Sequence, residues 1–503
     1  MTVSMDRVRT LSRLLCFLSA LSVASAADLA SKIDELVSKT PALGKAFVGL
    51  DVVSLASGRV LYEHNQDRLF VPASNMKLFT TALALVKLGP QYRFKTQIGA
   101  DLPIDADGTL AGNLVFAGGG DPTLSGREYP YQYHPGSQAV TSYSFRAVEE
   151  LADQLVARGL KRVNGDIVGD DRRYVWEHRV KGWSNGDALW EYGAPVSALI
   201  LNDNSFAVTI RPAAHTGDLA QISLSPDFEY FSIDNRVHTR AGGMRKVAFS
   251  ESSNGRQLHI AGVLPPGNAG ITELLAVEDP AGYGAEVLRE ALLRRGIPIH
   301  GKAVVRHRFS DDTPDSPEPA TLRFVFAGRT SPPLSEILQV VDKVSQNLHA
   351  EVLLREVGLV AGHSGSREGG LAVMQDFLTG VGISKEAYRF SDGSGLSRET
   401  LVSPAVIIKL LAYMYKSGNR DVWVSLLPIA GVDGTLATRF QDHPEAQVIR
   451  AKTGSLTHVR AMSGYAESPR YGPVAFSFLV NNFTAPVVEI KRLLDQMGLA
   501  LLQ

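Results

Sequence analysis

A single cysteine, Cys16, occurs in 503 residues, and it lies close to the N-terminus. An intrachain disulfide, a cysteine-based zinc cluster and a dithiol redox pair are therefore excluded. No charge of one sign prevails: 51 Lys and Arg stand against 52 Asp and Glu. Bulk attraction to nucleic acid or to an anionic membrane is thus not expected. Beyond the first two dozen residues no stretch approaches the roughly 18 unbroken apolar residues of a membrane span, so at most peripheral membrane contact is expected. The 12 histidines show no ligand-type spacing such as His-Glu-x-x-His, and no metal site is predicted. What the chain does have is 45% hydrophobic and 20% charged residues, a globular balance rather than a disordered one. Its length exceeds what one core of roughly 250–300 residues supports, so two or three domains are predicted.

The N-terminus carries Arg7, Arg9 and Arg13, then an apolar run from Leu14 to Val23, then Ala24-Ser25-Ala26. A positive region, a short apolar core and a small-x-small site read as a secretory signal over 1–26, cleaved before Ala27. Cys16 sits inside the run after bulky Leu15, the reverse of a lipidation site, and would leave with the signal. An exported, periplasmic and thiol-free product is expected.

Phe47–Leu55 and Val60–Glu63 read as paired strands around Ala56-Ser57-Gly58. A helix should follow, with Met76, Phe79, Leu83 and Val86 on one face and Gly89-Pro90 as its stop. From 93 to 323 the texture becomes β-rich, with short alternating runs between Gly, Asp, Asn and Pro turns. Two helices are expected there, over Ala147–Arg158 and Ala285–Arg295, and Ser310–Pro319 reads as a linker. Helical texture returns at Leu334–Gly358, Leu371–Leu378 and Ala405–Tyr415. The end reads as three strands, Val448–Gly454, Ala461–Ala466 and Val474–Asn481, and an amphipathic helix from Pro486 to Leu502. Strands at both ends of the chain, each set beside a helix, imply one domain split in sequence. The predicted division is 1–26 signal, 27–92 with 324–503 as a discontinuous domain, and 93–323 as an insert of two nested subdomains.

Three short motifs carry chemistry. Ser74-Asn75-Met76-Lys77 is the only Ser-x-x-Lys in the chain and opens the first helix. The i, i+3 spacing stacks the Lys77 amine over the Ser74 hydroxyl, which is a weak nucleophile until a neighbouring base takes its proton. Ser345-Gln346-Asn347 falls between two helical runs, where a break would turn both side chains toward a cleft. Ser-x-Asn recurs at Ser252–Asn254 and Ser417–Asn419, but without that helix–break–helix setting. Lys452-Thr453-Gly454 follows a plausible strand. There a lysine and a hydroxyl can clamp a carboxylate, and Gly admits close backbone approach.

Each motif alone is weak; in this order and setting the trio resembles the penicillin-recognising serine acyltransferases. Ser74 and Ser345 are 271 positions apart, far more than a β-lactamase helical subdomain supplies. So long an insert resembles the class C low-molecular-mass penicillin-binding proteins, D-Ala-D-Ala carboxypeptidases/endopeptidases. Gly118–Leu124, Gly165-Asp166-Ile167 with Asp170, Asp392–Arg398 with Ser403-Pro404, Gly431–Thr435 and Lys452–Leu456 extend the likeness over essentially the whole chain. The resemblance implies an α+β fold: a transpeptidase-like domain, its antiparallel sheet covered by helices on both faces with a helical subdomain, interrupted by the β-rich insert.

It also implies roles. Ser74 would be the acylated nucleophile, Lys77 its base, and Ser345 a proton relay to the leaving D-alanine. Asn347 would bind the substrate amide, Lys452 and Thr453 its terminal carboxylate, and the Ser74 and Ser455 backbone N–H groups would form the oxyanion hole. Gly182-Trp183, Asp187 and Tyr192 resemble the segment that meets a diaminopimelate side chain, with Arg398 at that side chain's carboxylate. Thr457 departs from the family pattern where a relative can carry Gln, which touches peptide specificity and not acyl transfer. The implied partners are peptidoglycan stem peptides and cross-bridges, with β-lactams as inhibitors; no cofactor is needed. Two other readings use the same motifs, a serine β-lactamase and a non-catalytic wall-binding protein of the same fold.

Overall fold

A computed structural model describes residues 28–135, 143–242, 244–252, 255–311 and 322–503. The signal segment with Cys16, most of the Ser310–Pro319 linker, and Ser253 and Asn254 lie outside the described residues.

One five-stranded antiparallel sheet joins the two ends of the chain. Its order is Ile449–Leu456, Val459–Ser468, Gly472–Asn481, Phe47–Ser54, Val60–His64. Period-two alternation sends its side chains into two different cores. Leu50, Val52, Met462, Phe476, Phe478 and Val480 face the C-terminal helix Val487–Ala500 and a helix over 28–38, through Ile490, Leu493, Leu494, Met497, Leu29 and Ile33. Val487, the first residue of the C-terminal helix, is exposed. Ala461, Tyr465, Ala475 and Leu479 face the opposite way, into the helical core. The sheet is thereby covered on both sides, and Ile449–Leu456 is left at an edge whose outer side is met by the 428–430 segment only at residues 449–451.

The helix Met76–Lys87 runs through that helical core. Every residue from Met76 to Leu85 is buried. A one-faced helix is expected from its spacing; it is enclosed all round because Asn347–Val360, Arg367–Gly380, Leu334–Gln339 and the turn Val340–Val344 pack around it. Leu334–Gln339 continues as a π-turn over Val340–Val344, ended by Ser345 in left-handed conformation (φ 69°) before the Asn347–Val360 helix begins. The extra residue of a π-turn rotates the chain beyond it, and such turns concentrate at functional sites.

The insert carries a mixed five-stranded sheet, ordered Ala303–Arg308, Ile167–Val175, Leu114–Ala117, Lys95–Ala100, Phe324–Thr330. Helices Arg146–Ala157 and Pro280–Arg294 cover it, and two three-stranded sheets complete the region. Phe324–Thr330 corrects the boundary expected at 324, because it pairs antiparallel with Lys95–Ala100 and finishes the insert's own sheet. Entry and exit meet at Phe94 and Ser331. Phe94 N donates to Ser331 Oγ at 2.9 Å and Ser331 N to Phe94 O at 3.0 Å, so the excursion leaves and returns at one point.

Candidate active site

The three motifs converge at the free edge of the central sheet. Ser74 lies in a short 3₁₀ turn, Ala73–Asn75, just before the buried helix. The sheet fixes that turn from below. Val71 N donates to Asn481 Oδ1 at 2.8 Å, Asn481 Nδ2 returns a bond to Val71 O at 3.1 Å, and Asn75 Nδ2 donates to Ser463 Oγ at 2.7 Å. Ala73 is driven to φ 49°, a conformation costing about 1–3 kcal/mol that persists only where surroundings over-determine it. Two glycines allow the crowding. A Cβ on Gly395 would meet Ala73 O at 1.9 Å, and one on Gly454 would meet Pro72 O at 2.6 Å. The Gly454 approach is the one the Lys-Thr-Gly motif requires.

Ser74 is half-buried, whereas Lys77 beside it has no exposed surface. The Lys77 amine lies 2.7 Å from Asn347 Oδ1, 2.8 Å from the Ser394 carbonyl and 3.1 Å from Ser74 Oγ. Burial, and then the charge of Lys452, lower its pKa from the usual lysine value to about 7, against the opposing pull of Asp392, Glu351 and Asp342. A neutral amine has two hydrogens and one lone pair. The Ser394 carbonyl can only accept, and Asn347 Oδ1 likewise, since its Nδ2 donates to Tyr192 O at 2.8 Å. Those two acceptors take the hydrogens, and the lone pair is left facing the serine hydroxyl.

Lys452 is equally buried, and burial lowers its pKa to about 8. Its amine donates to Ser345 Oγ at 2.9 Å and to Thr453 O at 3.0 Å, while Thr453 Oγ1 donates to Thr435 Oγ1 at 2.7 Å. A cleft of about 390 Å³ opens over these groups. Ser74, Ser345, Asn347, Thr453, Ser455, Asp187 and Tyr192 all line it, and the two buried lysines reach it through their bonds to Ser74 and Ser345. Asp187 comes from the insert and accepts a bond from Tyr192 Oη at 3.3 Å. Arg398 stands apart from the lining, exposed on the rim, with its guanidinium donating to Thr457 O at 2.8 Å. Among the described residues no group of three or more His, Cys, Asp or Glu could hold a metal ion.

Several supporting residues escaped sequence reasoning. Asp392 shapes the turn that presents the Ser394 carbonyl, accepting from Ser397 N at 2.7 Å, Thr400 Oγ1 at 2.8 Å and Trp183 Nε1 at 3.1 Å. Glu351 takes the Gly393 and Ser394 N–H groups at 2.8 and 2.9 Å. Asp392 falls in a segment already singled out by likeness, but nothing in the local pattern marks Glu351 or Asp342.

The model of the D-Ala-D-Ala carboxypeptidase 3 (S13) family matches residues 29–499. The chain is 32% identical to a D-alanyl-D-alanine carboxypeptidase of Actinomadura sp. (strain R39), over 91% of this chain and 82% of that one. The crystal structure of penicillin binding protein 4 (dacB) from Haemophilus influenzae superposes with a TM-score of 0.78 at 25% identity, covering 93% of this chain and 97% of that one. A second structure of that protein, complexed with a β-lactam, has a TM-score of 0.72 at 23% identity, covering 93% and 98%.

Proposed function

The chain belongs to the D-Ala-D-Ala carboxypeptidase 3 (S13) family and is a serine-type D-Ala-D-Ala carboxypeptidase, and on that premise we propose that it works through an acyl-enzyme on Ser74. The observation that carries this reading is the Lys77 amine, buried, shifted to about 7, and placed so that its lone pair meets Ser74 Oγ.

In the proposed step Ser74 Oγ attacks the carbonyl of the penultimate D-alanine as its proton passes to Lys77 Nζ. The oxygen of the tetrahedral adduct is met by the Ser74 and Ser455 backbone N–H groups, at the cleft wall where Gly454 packs on Pro72. The C–N bond then breaks, and the leaving nitrogen takes a proton relayed through Ser345 Oγ, which is bonded to the Lys452 ammonium. Lys452 and Thr453 hold the substrate's terminal carboxylate, and Asn347 its amide. Water hydrolyses the ester, so peptide and water give shortened peptide and D-alanine.

Peptidoglycan stem peptides and cross-bridges are the proposed substrates, Asp187 and Arg398 meeting a diaminopimelate side chain. β-Lactams, whose strained amide stands in for the scissile bond, would acylate the same serine. The β-lactam complex of the Haemophilus influenzae protein is consistent with this at the level of fold. Release of D-alanine from a D-Ala-D-Ala stem peptide, abolished by prior penicillin treatment, is the expected result; release insensitive to penicillin would refute the shared serine. Export through residues 1–26 belongs to the same reading, and the mature protein should begin at Ala27. A start at Met1 in protein recovered from the periplasm would contradict it.

A further inference from the structure

Asp342 is a buried carboxyl that no step above uses. It lies in the π-turn Val340–Val344, three residues before Ser345, and has no exposed surface. Neither of its oxygens has a hydrogen-bond partner in acceptable geometry. The nearest hydroxyl is that of Thr81, one turn beyond Lys77, and its hydrogen is committed to the Lys77 carbonyl at 2.7 Å. A carboxylate that receives no hydrogen bond is costly in such a place, whereas a carboxylic acid can itself donate to the Thr81 oxygen.

The charged groups around it are three lysines. Lys452 acts on it most strongly, then Lys77, then its neighbour Lys343. Lys343 is neutralised elsewhere, donating to Asp433 Oδ2 at 2.6 Å and to Leu427 O at 3.1 Å. Lys77 and Lys452 have no such partner: each donates only to uncharged oxygens. The fields of Asp392 and Glu351 also reach Lys77, but those carboxylates are occupied by backbone N–H groups of the 393–397 turn. Asp342 is thus the one carboxyl acting on both lysines that is not engaged by such donors. Burial raises its pKa to about 7, into the range where the two amines titrate.

We propose that Asp342 is a positioning residue for the protons of the Lys77–Lys452 pair. Its carboxyl sets, by its own charge, how readily both amines give up their protons when Ser74 is acylated. The inference rests on the acyl-enzyme reading and deepens it. With Asp342 ionised, both amines are held more strongly in the ammonium form; with it protonated, Lys77 yields its proton first and becomes the base, while Lys452 keeps the charge that holds the substrate carboxylate. No atom of Asp342 meets substrate. Asp342 has no hydrogen bond to either amine and acts through its charge alone, so the serine proton still goes to Lys77.

The test is the pH profile of acylation by fluorescent penicillin, measured on the full-length mature protein and on Asp342→Asn. The amide keeps the shape of the carboxyl and removes its charge. Both limbs of the profile should move to lower pH, by about half a unit or more, because both lysines lose an anion that favoured their charged forms. Limbs that stay in place while only the maximal rate changes would overturn the inference and leave a packing role. If Asp342→Asn does not fold, Asp342→Ser provides the same readout. Failure here is distinct from failure of the acyl-enzyme reading, which would show as absence of covalent label on the unmodified protein.

Discussion

Two clusters of buried charge meet along the Asn347–Val360 helix, and they are built in opposite ways. Around His349 the charges are matched. Asp203 of the insert accepts from His349 Nε2 at 2.9 Å and from Arg127 Nε at 2.6 Å, with all three side chains nearly or fully buried. Burial alone would push the Asp203 carboxyl up, but Arg127 and His349 more than offset it and hold the acid well below the carboxylate range. Two residues away, Asn347 faces Lys77, which with Lys452 forms a pair of buried amines joined only to neutral acceptors. The first cluster keeps the Asp203 carboxyl ionised. The second sits close to neutrality, where a proton can move. A satisfied pair holds the insert to the body, while an unsatisfied one is ready to take a proton from serine.

The contrast can be broken in several ways. The largest effect is expected from Lys77→Met, which fills similar volume without an amine. Acylation by penicillin should fall by about 10²- to 10⁴-fold, the usual worth of a positioned base, while the melting temperature changes little. A variant that acylates normally would remove Lys77 from the chemistry. Asp203→Ala should do the reverse, losing about 3–5 kcal/mol in denaturant unfolding because Arg127 and His349 are left buried without their anion. Acylation per folded molecule should drop less than tenfold. A stable Asp203→Ala protein would show that the matched cluster is not what secures the insert.

The two clusters should also separate by pH. Acylation is expected to rise as Lys77 loses its proton near 7 and to fall as Lys452 loses its own above about 8, giving a narrow bell in rate against pH. Asp203 does not titrate there. Its folded pKa is depressed, so its contribution to stability is complete above the unfolded value of about 3.9 and is lost only as pH falls below it. A stability midpoint for wild type that tracks the acylation bell would contradict the separation. The smallest effect concerns Asp187, which the insert brings to the cleft. Asp187→Ala should lose roughly tenfold in kcat/KM on a diaminopimelate-containing peptide, the scale of one charge-assisted hydrogen bond, and little on a plain D-Ala-D-Ala peptide. Equal losses on both would assign it a structural role.

Much of this was legible in the chain because it is written locally. The Ser-x-x-Lys spacing, the break at Ser345 and the edge-strand lysine each depend on a few adjacent residues, and all three meet in one cleft. What escaped depends on contacts across hundreds of residues. Phe324–Thr330 alternates like any strand, and only its pairing with Lys95–Ala100 shows which sheet it joins. The Met76–Lys87 helix looked one-sided because Thr80 and Thr81 read as polar, yet their hydroxyls are spent on the Gly393 and Lys77 carbonyls inside the core. Glu351 and Asp342 carry no motif, since their meaning comes from burial beside a lysine that is distant in sequence.

The most direct measurement is intact-mass analysis of the protein after incubation with a penicillin, with peptide mapping of the product. One adduct per chain is expected, on the peptide containing Ser74, and none on a folded Ser74→Ala protein. A covalent adduct that persists on Ser74→Ala would contradict the assignment of Ser74 as nucleophile.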